Sequence, residues 1–254
     1  MNLRTRSLAL ALVGLSCLAA APAFAQSPKQ ATITDPPGTG LSAADAPARA
    51  TLAARPWDFA PFFQGGEGVG ARSDFTFTAA GLRIGKVITG RHLGSFLRGQ
   101  FEFDGEIMPY WQAFTPPPHS ITATVYDPSA GLSYTETYQV GGGTFTGVSL
   151  TPVILRWDFK PGRRFAPYFQ AAGGLIYTTH KFPPDTLVPH GTPGGTSVFN
   201  FSPQGGFGVR YFLRNGRSLD FQGSGVHISS ASLGDRNPGV NASVQFQVAY
   251  TFWR

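Results

Sequence analysis

The chain has 254 residues, with 20 Lys and Arg against 14 Asp and Glu, a formal net charge of +6 and only 13% charged residues. That charged share is about half of what an ordinary soluble domain carries. The 32 Gly, 21 Pro and 22 Phe disfavour a solvated helical bundle and a disordered chain, and the small charge excess without a basic run disfavours a nucleic-acid binder.

In chain order, the first predicted element is an address. Arg4 and Arg6, the apolar run from Leu8 to Ala21 and the small-x-small triplet Ala23-Phe24-Ala25 predict a secretory signal peptide over residues 1–25. Cleavage before Gln26 would remove Cys17, the only cysteine, leaving no thiol, no disulfide and no cysteine metal site. Beyond it no apolar stretch reaches the roughly 18–20 residues of a transmembrane helix. Residues 26–56 are rich in Ala, Pro, Thr, Ser and Gly without periodicity. They read as a flexible N-terminal segment, with a plug or a poorly patterned first strand as the alternative.

From Trp57 the pattern has period two. Eight runs alternate apolar and polar residues, at 59–67, 74–88, 95–110, 143–158, 165–179, 197–213, 217–230 and 240–253. In the last, Val244, Phe246, Val248 and Tyr250 alternate with Ser243, Gln245 and Gln247. Such runs are strands with one apolar and one polar face, and an even number suits a single-chain outer-membrane barrel. Phe159–Arg164 and Arg214–Arg217 read as short turns, whereas 111–142 and 180–196 read as long Pro-rich loops. Short turns at one end and long loops at the other match the periplasmic and extracellular ends of such barrels. The fold class expected is all-β, an eight-stranded antiparallel outer-membrane β-barrel over residues 57–254. A soluble barrel of the lipocalin kind, with its apolar parity turned inward, is the alternative.

Run seven ends in Gly225-Val226-His227-Ile228-Ser229-Ser230. Two residues apart on a strand, His227 and Ser229 leave the same face, with Cα atoms about 6.6 Å apart. An imidazole can serve as base to a hydroxyl over that span. They share parity with Leu219 and Phe221, so a lipid-facing assignment of those residues puts the pair on the outer surface at the extracellular end. The following loop contains Asn237-Pro238-Gly239, a turn signal whose asparagine can offer an amide donor to an oxyanion. His92, His119, His180 and His190 lack metal-ligand spacing, so no metal is expected.

The stretch from His227 to Asn241, HISSASLGDRNPGVN, resembles the signature of the lipid A 3-O-deacylases of PagL type, also labelled acyloxyacyl hydrolases. The resemblance spans about 57–254 and is strongest over 165–254. It implies an eight-stranded outer-membrane barrel acting without a cofactor on lipid A, the membrane anchor of lipopolysaccharide, by hydrolysing the ester-linked acyl chain at position 3. It assigns base and nucleophile to His227 and Ser229, an oxyanion-hole asparagine to Asn237, and the third, normally acidic, member to Asn241. Two positions depart from the signature. Ser230 stands where an asparagine is expected, and the neutral Asn241 replaces a carboxylate, with Asp235 as a nearby substitute. Asn241 also takes the inward phase of run eight, opposite to His227, unless a bulge near Pro238-Gly239 turns it. A non-catalytic barrel keeping the family scaffold therefore stays open, as does the oligomeric state, a homodimer included.

Overall fold

A computed structural model describes residues 46–90, 97–140, 142–184, 195–231, 233–234 and 241–254. The signal peptide, most of the N-terminal segment, and Asp235 and Asn237 lie outside the described residues.

Eight strands close into an antiparallel barrel. They are β1 (Trp57–Gly68), β2 (Thr76–Val87), β3 (Gly99–Phe114), β6 (Thr144–Phe159), β7 (Phe165–Pro184), β8 (Gly195–Phe212), β9 (Arg217–His227) and β10 (Ala242–Trp253), with β1 pairing β10 to complete the circle. Each coincides with one of the eight alternating runs. No helix is long and apolar enough to cross a membrane among the described residues. The hairpin turn between β8 and β9 holds Asn215 and Gly216 at φ 63° each. Only Gly and Asn take such values cheaply, and this twist suits a two-residue turn.

The alternation resolves as polar in and apolar out. Asp58, Arg83, Glu102, Asp104, Arg156, Asp158, Arg210 and Asp220 are buried in the lumen, while Phe63, Leu82, Ile84, Ile107, Phe207 and Phe246 stand exposed on the outer wall. An exposed apolar belt around a polar interior is the membrane version of the fold and excludes the soluble alternative, whose faces are reversed.

The lumen is filled in three layers. At the loop end Phe182, fully buried, is the hub of an aromatic cluster, with ring centroids 5.2 Å from Phe145, 5.4 Å from Trp111 and 6.3 Å from both Phe75 and Phe77. The middle layer is ionic. Arg210 donates to Glu102 at 2.6 Å and to Asp158 at 2.9 Å. Arg83 donates to Asp220 at 2.6 Å and to Asp58 at 3.2 Å, and Arg156 reaches Glu102 at 2.8 Å. Gly85 makes room for this layer, since a Cβ there would lie 2.0 Å from both Asp58 Oδ1 and Asp104 Oδ1.

The turn end is closed by a helix, α1 (Pro47–Ala53). Its buried Ala48 and Leu52 pack with Val87, Ala166, Phe212 and Trp253. The Ala48 N–H donates to the Arg163 carbonyl at 3.2 Å, and Gln100 Nε2 donates to the Leu52 carbonyl at 3.0 Å. The last part of the segment expected to be flexible is thus a packed plug, because its small apolar residues meet an apolar lumen end.

The long connection 111–142 is also more ordered than expected. β3 runs on to Phe114, and β4 (His119–Asp127) pairs with β5 (Leu132–Val140) as a separate two-stranded sheet. Its turn is fixed by Asp127 Oδ1, which accepts from the Ser129 N–H at 2.8 Å and hydroxyl at 2.6 Å. Those donors hold the Asp127 carboxyl below its usual range. The connection after run five shortens likewise, since β7 extends to Pro184.

Candidate active site

His227 is the last residue of β9, and the register sets Ala242 of β10 opposite it. The chain stays extended beyond the strand. Ile228 N–H donates to the Asn241 carbonyl at 2.8 Å, and Ser229 and Phe201 of β8 exchange backbone hydrogen bonds at 2.7 and 3.0 Å. Strand alternation therefore carries through to Ser229. Val226 and Ile228 are buried inward, and His227 and Ser229 are half-buried on the outward face. The structure brings this pair together on one face at the loop end, as the spacing predicts.

The chain leaves the sheet directly afterwards. Ala231 takes φ 49°, a left-handed value that a side chain adopts only under constraint. Its N–H donates to Ser229 Oγ at 3.1 Å. A hydroxyl oxygen that accepts at one lone pair is oriented while keeping its own proton to give.

Asn241 is placed differently. The same register puts it opposite Ile228, so its side chain faces the lumen and is 2% exposed. It lies across the barrel wall from His227, as strand phase demands. The Asn241 carbonyl, not its amide, touches the His227 segment. Asn237 and the Pro238-Gly239 turn lie outside the described residues, as do His92 and His190. His119 and His180 sit on separate strands and bond locally, His119 Nδ1 to the Pro117 carbonyl and His180 Nδ1 to Thr179 Oγ1, at 3.0 Å each.

Two features escape the sequence reading. Beneath the pair, Asn200 Oδ1, Ser230 Oγ and Asn241 Nδ2 are buried with no hydrogen-bond partner. Their shared inward phase is visible in the sequence, but their adjacency depends on the β8–β9–β10 register. Deeper, oxygens of Asp58, Glu102 and Asp104 lie within 4.8 Å of one another. Arg83 and Arg156 pair with them, which makes the group part of the ionic layer.

The arrangement can present a nucleophile and a base to an ester lying in the lipid beside the wall. The chain is similar in fold to the crystal structure of the outer membrane enzyme PagL, at 18% identity, a TM-score of 0.40, and coverage of 76% of this chain and 98% of that one. An outer membrane channel from Pseudomonas putida F1 also aligns, at 10% identity, a TM-score of 0.25, and coverage of 79% of this chain and 96% of that one. No curated protein matches. The sequence pattern of the lipid A 3-O-deacylase (PagL) family matches residues 99–251, more than half of the chain. With the closed barrel and its apolar outer belt, this makes the chain an outer-membrane protein that belongs to the lipid A 3-O-deacylase family.

Proposed function

We propose that the protein hydrolyses the 3-O-linked acyl chain of lipid A, with Ser229 as nucleophile and His227 as general base. The observation that carries this reading is the common outward face of His227 and Ser229 at the loop end of a lipid-facing wall. His227 takes the Ser229 proton as Oγ attacks the acyl carbonyl, then returns it to the sugar oxygen as the C–O bond breaks. Water, deprotonated by the same imidazole, frees the fatty acid from Ser229. Asn237, on the loop that returns the chain to β10, is the oxyanion donor in this reading. Asn241 contributes through its carbonyl, which accepts from Ile228 N–H at 2.8 Å and pins the segment between the two reacting residues. The pair then works without a carboxylate behind the histidine. This is a slower arrangement, since losing the carboxylate that holds the histidine in the right tautomer costs a serine protease triad about 10⁴ in rate.

A second reading, a non-catalytic barrel that binds lipid, is favoured by the same lumen-facing Asn241. Mass spectrometry of lipid A from a host expressing the protein separates the two. Loss of one hydroxyacyl chain with the parent, and none with Ser229→Ala or His227→Ala, is the expected result. Unchanged lipid A with the parent folded in the outer membrane would overturn the esterase.

A further inference from the structure

We infer that the turn end of the barrel, periplasmic in barrels of this kind, carries a cationic collar that binds anionic phospholipid headgroups in the leaflet opposite lipid A. Exposed charge is sorted by sign along the barrel. Lys160, Arg163 and Arg164 stand in the turn between β6 and β7, Arg214 stands in the turn between β8 and β9, and Arg217 opens β9. Arg55 and Lys86 flank the start of β1, and Arg254 follows the end of β10. All are exposed or partly exposed. Among the described residues no exposed or partly exposed acidic side chain shares that end. Asp58, Asp158 and Asp220, on the same strand segments, turn into the lumen. Glu67, Asp74, Asp127 and Glu136 reach the surface at the loop end or on its hairpin. A net charge of +6 summed over the chain conceals this separation.

The collar lies at the edge of the apolar belt. Trp57, 48% exposed, pairs with Lys86 on one side and exchanges backbone hydrogen bonds with Arg254 at 2.8 and 2.9 Å on the other. Lys86 Nζ lies 5.3 Å from the Trp57 ring centroid and donates to the Arg55 carbonyl at 2.8 Å. The Arg217 guanidinium lies 5.8 Å over the ring of Phe252, its partner on β10. Phe165 and Tyr211, with ring centroids 5.0 Å apart, continue the aromatic edge beside the Arg163–Arg164 turn. Tryptophan and tyrosine settle at the headgroup level of a bilayer, and long cationic side chains run along apolar surface to reach the same level. A cation held against such a ring is therefore placed where phosphodiester groups lie.

Charge and depth choose the occupant. Each Lys or Arg near an anionic bilayer surface strengthens the attraction about fivefold. Lys86 and Arg254 stand two strands or about 10 Å apart with Trp57 between them, so a phosphate beside Trp57 meets a cation from either side. A phosphatidylglycerol headgroup brings a phosphate alone. Phosphatidylethanolamine brings its own ammonium into the collar and gains less. An anionic polymer in the water beyond the headgroups, such as peptidoglycan, would call for cations that project off the belt, whereas Lys86 and Arg217 lie back on aromatic rings. The inference stands apart from the proposed esterase, whose residues lie at the other end of the wall.

Quenching by brominated lipids tests this on the intact protein. The barrel is held in phosphatidylethanolamine vesicles containing either brominated phosphatidylglycerol or brominated phosphatidylethanolamine, with bromines high on the acyl chains. Trp57, Trp157 and Trp253 lie at the turn end, and Trp111 is buried toward the loop end, so tryptophan emission reports chiefly on the collar. Phosphatidylglycerol is expected to quench with about fivefold greater relative affinity, a preference that high salt erases. Lys86→Gln, Arg217→Gln and Arg254→Gln together should bring the ratio near one. Lys160→Gln with Arg214→Gln, both outside the strands, should lower it in part with the barrel pairing untouched. Glu67→Gln with Asp74→Asn should leave it unchanged. The heat-modifiable band in gel electrophoresis verifies that each variant is folded. Equal quenching of the parent by both lipids overturns the inference, as does a preference that survives the triple variant or disappears in the loop-end variant. Cosedimentation with purified peptidoglycan, lost in the triple variant while both lipids quench the parent equally, would assign the collar to the cell wall and overturn it as well.

Discussion

Asn241 shows how one residue's strand phase limits its chemistry. It takes the register position opposite Ile228, so its amide enters the lumen, where Nδ2 finds no partner. A carboxylate placed there would enter the same buried space. Asn241→Glu is therefore expected to give no gain in lipid A hydrolysis and to lower stability by about 1–3 kcal/mol or more, the cost of a buried polar group without partners. Hydrolysis measured beside the thermal unfolding midpoint checks both, and a gain in rate would show that the chain near Pro238-Gly239 turns the side chain outward. The inward phase of Asn241 and the outward phase of His227 were both readable from the alternation. That no bulge intervenes between Asn241 and Ala242 required the observed pairing.

The elements are held by what their inward faces share. Strands β3, β6, β8 and β9 each send charged or polar groups to one buried layer, where Arg210 bonds Glu102, Asp158 and Asp220 at 2.6 to 3.3 Å. Removing one member strands the others. Arg210→Ala is expected to destabilise the barrel by about 3–5 kcal/mol, the range for breaking a buried pair from one side. The loss of the compact, heat-modifiable band at a lower temperature in gel electrophoresis reads it. A midpoint unchanged from the parent would mean that the layer adds nothing to stability. The eight strands were legible because a lipid-facing wall and a polar lumen impose a strict period of two. Helix α1 was not, since its Ala- and Pro-rich sequence carries no amphipathic period and folds only against Trp253, Phe212 and Val87. The β4–β5 hairpin was missed because Pro116, Pro117, Pro118 and Pro128 make its segment read as a loop, although Ile121, Ala123 and Val125 alternate with Thr there.

For the whole molecule, the stacked layers decide what the barrel does not do. Phe182 with its aromatic neighbours closes one end, α1 with Leu52 closes the other, and ion pairs fill the middle. Planar bilayers carrying the purified protein are expected to show no unitary conductance. Steps that persist in a preparation free of porins would mean that a layer opens. With the lumen filled, the working surface is the outer wall, which is where His227 and Ser229 lie.

The sequence by itself determined the number of barrel strands, the sheet phase along their regular stretches and the proximity of His227 to Ser229, because those follow from local alternation and short spacing. It also carried the family signature. Tertiary structure decided which groups meet across the lumen, which end is plugged, and that Asn241 lies across the wall from His227. Those depend on the register between strands far apart in the chain. Register is set by pairing and closure of the whole barrel, not by any one segment.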